Sequence, residues 1–200
     1  TDGDFLSGTY SATIPGADLT GDSVSYKFTI TDFGGNIEET PVYSAPLLNG
    51  ISVGYFEDFE STPVGWTTFG SAEWQWGVPT VGPEAAYSGE KVYATNLSGT
   101  YGARANMSLQ MPPIDLPEGS SYLQFKQWHN LERRYDFGLV FISTDGENYT
   151  QLGSFNDLSN GWVDGEVDLS EYAGQRVYIQ FTLTSDGSVQ RPGWFIDDVA

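Results

Sequence analysis

The chain has 200 residues, 39% hydrophobic and 15% aromatic, with 24 glycines and 10 prolines. That length buries roughly 70% of the extended chain's surface, and the composition suits strands joined by tight turns. Lys plus Arg number 8 against 27 Asp plus Glu, a formal net charge of −19, which repels nucleic acid and anionic lipid and attracts cations. The lack of cysteine excludes disulfides, iron–sulfur clusters and thiolate zinc sites. No apolar run is long enough to cross a bilayer as a helix, and no signal peptide is visible. A polar start and a strand-like end predict a piece of a longer chain.

Residues 1–48 predict a first small unit. Tyr10, Ala12 and Ile14 alternate before the turn Pro15-Gly16. Val24, Tyr26, Phe28 and Ile30 alternate with Ser25, Lys27, Thr29 and Thr31, the pattern of a half-buried strand. The turn Asp32-Phe33-Gly34-Gly35-Asn36 leads to a shorter strand up to Pro41. Three strands make a thin core. The run from Ile14-Pro15-Gly16 through Val24 to Asn36 resembles the back half of an immunoglobulin-like or fibronectin-like repeat, as found between modules of secreted bacterial proteases. The resemblance implies missing front strands, so residues 1–48 lean on the second unit, lean on a neighbouring chain to give a dimer, or stay frayed. The alternative is an extra hairpin and strand of the main sandwich.

Residues 42–52 read as linker or early strand, and residues 49–200 as the main domain. Val53–Glu60 is predicted as its first strand, and Pro63-Val64-Gly65-Trp66 turns out of it. Trp66, Trp74 and Trp76 follow closely, then a Gly, Pro and Ala loop reaching Gly89. Further strands are expected at Lys91–Leu97, Ala105–Met111, Ser120–Trp128, Asp136–Ser143, Tyr149–Gly153, Gly161–Leu169 and Val177–Thr184. Ser170–Ala173 suits one helical turn. Pro192-Gly193 opens the last stretch, where Trp194, Phe195, Ile196 and Val199 surround Asp197 and Asp198. No helical periodicity persists for three turns, and many short strands at this spacing predict an all-β, antiparallel two-sheet sandwich of jelly-roll type.

Adjacent acids among apolar residues are costly unless compensated. Asp197 and Asp198 form one such pair, and Glu57, Asp58 and Glu60 another group. If the first and last strands pair, these carboxylates converge at their ends. Hard oxygen ligands on a negative chain favour calcium, with carbonyls of Thr80–Gly89 and the amide of Asn96 as further donors. Zinc is disfavoured, since His129 is the sole nitrogen ligand of its kind. The other reading leaves these acids on the surface in water.

Residues 55–199 are similar to the β-sandwich module of immune inhibitor A metalloproteases and bacillopeptidase F-like serine proteases, akin to meprin-type adhesive domains. The matching runs are Phe59-Glu60 with Gly65-Trp66, WQWGVP at 74–79, AYSGEKVYATNLSGTY at 86–101, and Gly193 to Val199. The resemblance implies a galactose-binding-like sandwich that binds calcium or sodium. It carries the metal onto Glu60 and onto Asp197 or Asp198, without choosing between the two aspartates.

Catalysis finds little support. His129 is the lone histidine, and neither a G-x-S-x-G elbow nor an H-E-x-x-H helix is present. Trp66, Trp74, Trp76, Trp128 and Trp162 suit either a sugar platform or core anchors. Arg133-Arg134 suits carboxylate capture or ion pairs with Glu132 or Asp136. The expected function is a non-catalytic, calcium-stabilised accessory module of a secreted, extracellular bacterial protease. Its expected partners are other domains of the parent protease and a protein substrate or cell-surface glycan, met at Trp74, Trp76, Trp128, Arg133 and Arg134. A carbohydrate-binding module and an adhesive protein-interaction domain are the alternatives.

Overall fold

A computed structural model describes residues 2–3, 8–9, 14, 23–47 and 50–200. The chain divides into two compact units, Thr1–Asn49 and Gly50–Ala200. In the first, β1 (Asp2–Gly3) pairs with β2 (Gly8–Thr9). The strand expected over Tyr10, Ala12 and Ile14 lies outside the described residues except for Ile14, and so does its closing Pro15-Gly16 turn.

The alternating run from Val24 is two strands rather than one. β3 (Ser23–Tyr26) pairs with β6 (Tyr43–Pro46), and β4 (Thr29–Thr31) pairs with β5 (Ile37–Glu39). Thr40 explains the break. Its hydroxyl accepts the Phe28 N–H at 3.0 Å and its own N–H donates to the Phe28 carbonyl at 2.9 Å. Part of the expected linker is therefore strand β6, held to β3 by the Tyr26 and Tyr43 rings at 5.4 Å. The expected half-burial is corrected too: Phe28 is 48% and Ile30 61% exposed.

The second unit is built from two antiparallel sheets. β10 (Asn106–Gln110), β13 (Phe137–Ser143), β14 (Thr150–Phe155), β16 (Arg176–Thr184) and β7 (Thr67–Gly70) form one, in the order β14-β13-β16-β10-β7. The short β11 (Ile114–Asp115) adds to β16. β15 (Val163–Asp168), β12 (Tyr122–Asn130), β17 (Gly193–Asp197), β9 (Val92–Ala94) and β8 (Gln75–Gly77) form the other, in that order. Ser170–Tyr172 makes the single helical turn expected there.

The core lies between the sheets because inward apolar residues alternate along their central strands. Val177, Ile179, Phe181 and Leu183 of β16 are fully buried. Phe181 meets Phe125 at 5.1 Å and Trp194 at 5.8 Å. Small residues make room for these rings. A Cβ on Gly165 would stand 2.3 Å from the Phe125 ring, and one on Gly138 would stand 2.7 Å from that of Trp194.

β17 is buried on both faces. Its outer side, with Phe195, Val92 and Ala94, forms a second small apolar cluster with Ala86, Leu97, Trp128 and Trp162. The loop before β9 covers this cluster so closely that a Cβ on Gly82 would lie 2.5 Å from Phe195.

The strand expected at Val53–Glu60 is not formed. The first and last stretches meet in one antiparallel bridge, Glu57 to Val199, with both N–H to carbonyl bonds at 2.9 Å. Side chains then compete with a ladder. The Glu57 carboxylate accepts the Phe59 N–H at 3.0 Å, and that of Asp58 accepts the Glu60 N–H at 3.1 Å. Phe59 takes a left-handed φ of 56° and sends its ring into the core, 5.1 Å from Trp66 and 5.2 Å from Tyr93.

Candidate cation site

The acids singled out in the sequence sort into three roles. Glu57 and Asp58 serve local turns, Glu57 also accepting from the Tyr55 hydroxyl at 3.3 Å. Glu60, Asp197 and Asp198 grip one loop, residues 87–91. Asp197 Oδ2 accepts the N–H groups of Tyr87 at 2.9 Å and Ser88 at 3.1 Å. The Ser88 hydroxyl donates to Asp198 Oδ1 at 2.6 Å. Glu60 Oε1 accepts the N–H groups of Glu90 at 2.8 Å and Lys91 at 2.7 Å, and Lys91 Nζ donates to the Glu60 carbonyl at 2.7 Å.

Gly89 sits at the centre of this arrangement. Its φ is +57°, and a Cβ there would lie 2.3 Å from the Glu60 carboxyl carbon, so glycine is required. Asp198 turns at φ 44°, which ends the face alternation and brings it to the loop beside its neighbour. The N–H groups of Lys91 and Glu90 hold the Glu60 carboxyl below the usual carboxylate range. Burial pushes Asp197 the other way, to about 6, against the N–H groups of Ser88, Asp198 and Tyr87. Asp197 is wholly buried and faces Ser88 and Tyr87 with N–H donors alone, so a cation would relieve its desolvation. Carboxylate oxygens are the donors a hard ion takes, though Glu60, Asp197 and Asp198 do not all bring oxygens within 4.8 Å of one another.

A second acidic group was not legible from local pattern. Glu132, Asp136 and Asp186 bring carboxylate oxygens within 4.8 Å of one another, the one such trio of acids among the described residues. Glu132 and Asp136 bracket the turn between β12 and β13, where the Asp136 N–H bonds the Glu132 carbonyl at 3.1 Å. Asp186 follows β16, and its N–H donates to Asp136 Oδ1 at 2.9 Å. Tyr101 donates its hydroxyl proton to Asp136 Oδ2. Burial, then the charges of Asp186 and Asp136, raise the Glu132 carboxyl, with Arg191 opposing. The turn spacing of Glu132 and Asp136 was a faint signal; the arrival of Asp186 depends on β13 pairing with β16.

The suggested ligand surface separates. Trp74 is a core residue, 3% exposed, bonding the Met107 carbonyl at 3.1 Å and lying 5.6 Å from Trp194; the expectation that it lines a surface is corrected. Trp76 lies under Lys91 at 5.1 Å and bonds the Phe59 carbonyl at 2.7 Å. Trp128 rests on Phe195 at 5.3 Å and, with Trp162 and Gly82–Ala86, lines a shallow hollow. Arg133 pairs with Asp157 at 3.3 Å rather than with Glu132 or Asp136. The Arg134 N–H bonds Asn156 Oδ1 at 3.0 Å. His129 is 7% exposed, held at the Asp157 carbonyl by Nδ1 at 3.1 Å, and burial lowers its pKa.

The fold is a two-sheet β-sandwich shared with a solved adhesin domain. Residues aligned over 72% of this chain and 95% of the K1 cleaved adhesin domain of Lys-gingipain from Porphyromonas gingivalis W83 superpose with a TM-score of 0.54 at 20% identity. No known family's sequence profile matches the chain. In sequence, the chain is 50% identical over 200 residues to bacillopeptidase F of Bacillus subtilis strain 168, covering 98% of this chain and 14% of that protein. Pre-pro-metalloprotease PrtV of Vibrio cholerae is 33% identical over 99 residues, 44% of this chain and 11% of that one. Immune inhibitor A of Bacillus thuringiensis subsp. alesti is 25% identical over 111 residues, 50% of this chain and 16% of the relative.

The chain thus carries a β-sandwich domain homologous to part of bacillopeptidase F. It spans a small fraction of these relatives' lengths, 14% of the first.

Proposed function

We propose that this β-sandwich is a calcium-stabilised accessory module of a secreted multidomain protease, which associates with protein substrate or cell surface while other domains carry the chemistry. The observation that supports it is the capture of loop 87–91 by Glu60, Asp197 and Asp198 through five backbone and hydroxyl hydrogen bonds. A calcium ion shared by Glu60, Asp197 or Asp198 and loop carbonyls offsets the buried Asp197 charge; sodium is the weaker alternative. The residues of this chain hold the loop, exclude water from β17 and present the outer surface.

Calorimetric titration of calcium into chelator-stripped protein tests the site. The unsubstituted chain takes up calcium at the loop, and Asp197→Asn and Glu60→Gln each lose that uptake. Calcium binding undiminished in both variants contradicts the assignment. Association is tested by co-sedimentation with bacterial cell walls and retention on immobilised denatured protein; binding to neither contradicts the accessory role.

The hollow beside Trp128 and Trp162 favours a second reading, glycan binding by ring stacking. In that case Trp162→Ala abolishes retention on a glycan array. An array without a single retained glycan removes this reading.

A further inference from the structure

We propose that Glu132, Asp136 and Asp186 form a second calcium site, separate from the loop held by Glu60 and Asp197. Three carboxylates converge there with oxygens within 4.8 Å of one another. Oxygens that close can be reached by one hard cation, and calcium accepts irregular sets of carboxylate ligands where magnesium demands a near-ideal octahedron.

A second observation points to a missing positive partner. Glu132 Oε2 is sealed from water and meets no hydrogen-bond donor. An anionic oxygen stripped of both water and donors is costly to bury. The neighbouring acid does not relieve it, for Asp136 is wholly buried and its two oxygens are already engaged, Oδ2 by the Tyr101 hydroxyl and Oδ1 by the Asp186 N–H. No lysine or arginine comes within ion-pair distance of any of the three among the described residues, and the Arg191 charge opposes the rise of the Glu132 carboxyl without cancelling it; the ion pairs formed lie elsewhere. The protein supplies negative groups from two turns and leaves one oxygen without a counterpart. A hard divalent cation supplies that counterpart.

The turn geometry is fixed before any ion arrives. Asn156 donates its side-chain amide to the carbonyls of Glu132 and Asp136, which sets the turn between β12 and β13. Asp186 Oδ1 accepts from the Ser188 N–H at 2.8 Å and Ser188 hydroxyl at 3.2 Å, which leaves Oδ2 for a ligand. An ion here ties the β12–β13 turn to the β16–β17 turn. The position is remote from the other site: Asp186 precedes β17 and Asp198 follows it, and β17 from Gly193 to Asp197 is about 13 Å long at about 3.3 Å per residue.

The test counts bound calcium in the 200-residue chain by equilibrium dialysis at 1 to 5 mM, roughly the range of extracellular calcium modules. Glu132→Gln is expected to bind one ion fewer than the unsubstituted chain, while Glu60→Gln keeps the ion at Glu132. Equal calcium content in Glu132→Gln and the unsubstituted chain overturns the proposal. Asp186→Asn, at a half-buried turn position, repeats the comparison if Glu132→Gln does not fold. A variant-free reading uses terbium: tyrosine-sensitised luminescence, with Tyr101 bonded to a ligand carboxylate, is expected and is displaced by calcium but poorly by magnesium. Absence of sensitised terbium in a chain that binds no calcium also overturns it. Because the two glutamate variants remove different ions, failure at Glu132 leaves the loop site standing, and the reverse holds too.

Discussion

At the residue scale, burial decides what each polar group does. His129 stays neutral in the fold because burial lowers its pKa below the ordinary value of 6.5. The unfolded chain therefore binds a proton that the fold refuses, so the His129 contribution is complete above about 6.5 and is lost as pH falls below it. Denaturant melts between pH 7.5 and 5 are expected to show this fall, and His129→Gln to flatten it; an equal fall in the variant would assign the limb to other groups. Trp194 Nε1 donates to Gln127 Oε1 at 2.9 Å, with both side chains buried. Gln127→Leu leaves that N–H unpaired and is expected to cost about 1–3 kcal/mol in chemical denaturation. Gly165→Ala drives a methyl into the Phe125 ring and is expected to cost about 1–3 kcal/mol by the same assay. Neither glycine contact nor amide–indole pair was legible in the sequence, since each depends on which residue faces it from another strand.

At the element scale, legibility followed periodicity. The alternation of Val177, Ile179, Phe181 and Leu183 marked β16, and its neighbours in the two sheets were found within a few residues of their ends. Short strands without alternation were less legible: β7 and β8 fall in a tryptophan-rich stretch for which no strand was expected, and β6 in one that read as linker or early strand. Val53–Glu60 had strand composition but lost its ladder to carboxylates bonding their own backbone. The hairpin between β13 and β14 shows such bonding used well. The Asp145 carboxylate accepts the N–H groups of Glu147 and Asn148 at 2.8 and 2.7 Å and the Asn148 side-chain amide at 2.7 Å. These bonds hold its pKa well below the usual carboxylate range. Its stabilisation is complete above the unfolded value near 3.8 and is lost as pH falls further, toward the depressed value. Asp145→Ala is expected to lower the melting temperature at pH 7 by more than at pH 2; equal losses at both would mean that the charged bonds contribute little.

At the scale of the whole molecule, a formal net charge of −19 sets the terms. Self-repulsion works against compactness, and bound cations offset it where carboxylates are buried. The pairing of the two acid-bearing stretches at Glu57 and Val199 was legible from their shared character. The cluster of Glu132, Asp136 and Asp186 was not, because strand pairing assembles it from distant turns. The first unit leaves Tyr26, Phe28, Ile30 and Ile37 more than 40% exposed, and our reading of self-association through residues 1–48 predicts a mass that rises with concentration in light scattering and stays monomeric once those residues are removed. A constant monomeric mass for the full chain would end that reading.

Thermal melting of chelator-stripped protein, with calcium restored in steps, is the most direct measurement of cation dependence. The account predicts a melting temperature that climbs with calcium and saturates, with most of the climb gone in Asp197→Asn. A melting temperature indifferent to calcium, in the unsubstituted chain at neutral pH, would contradict it.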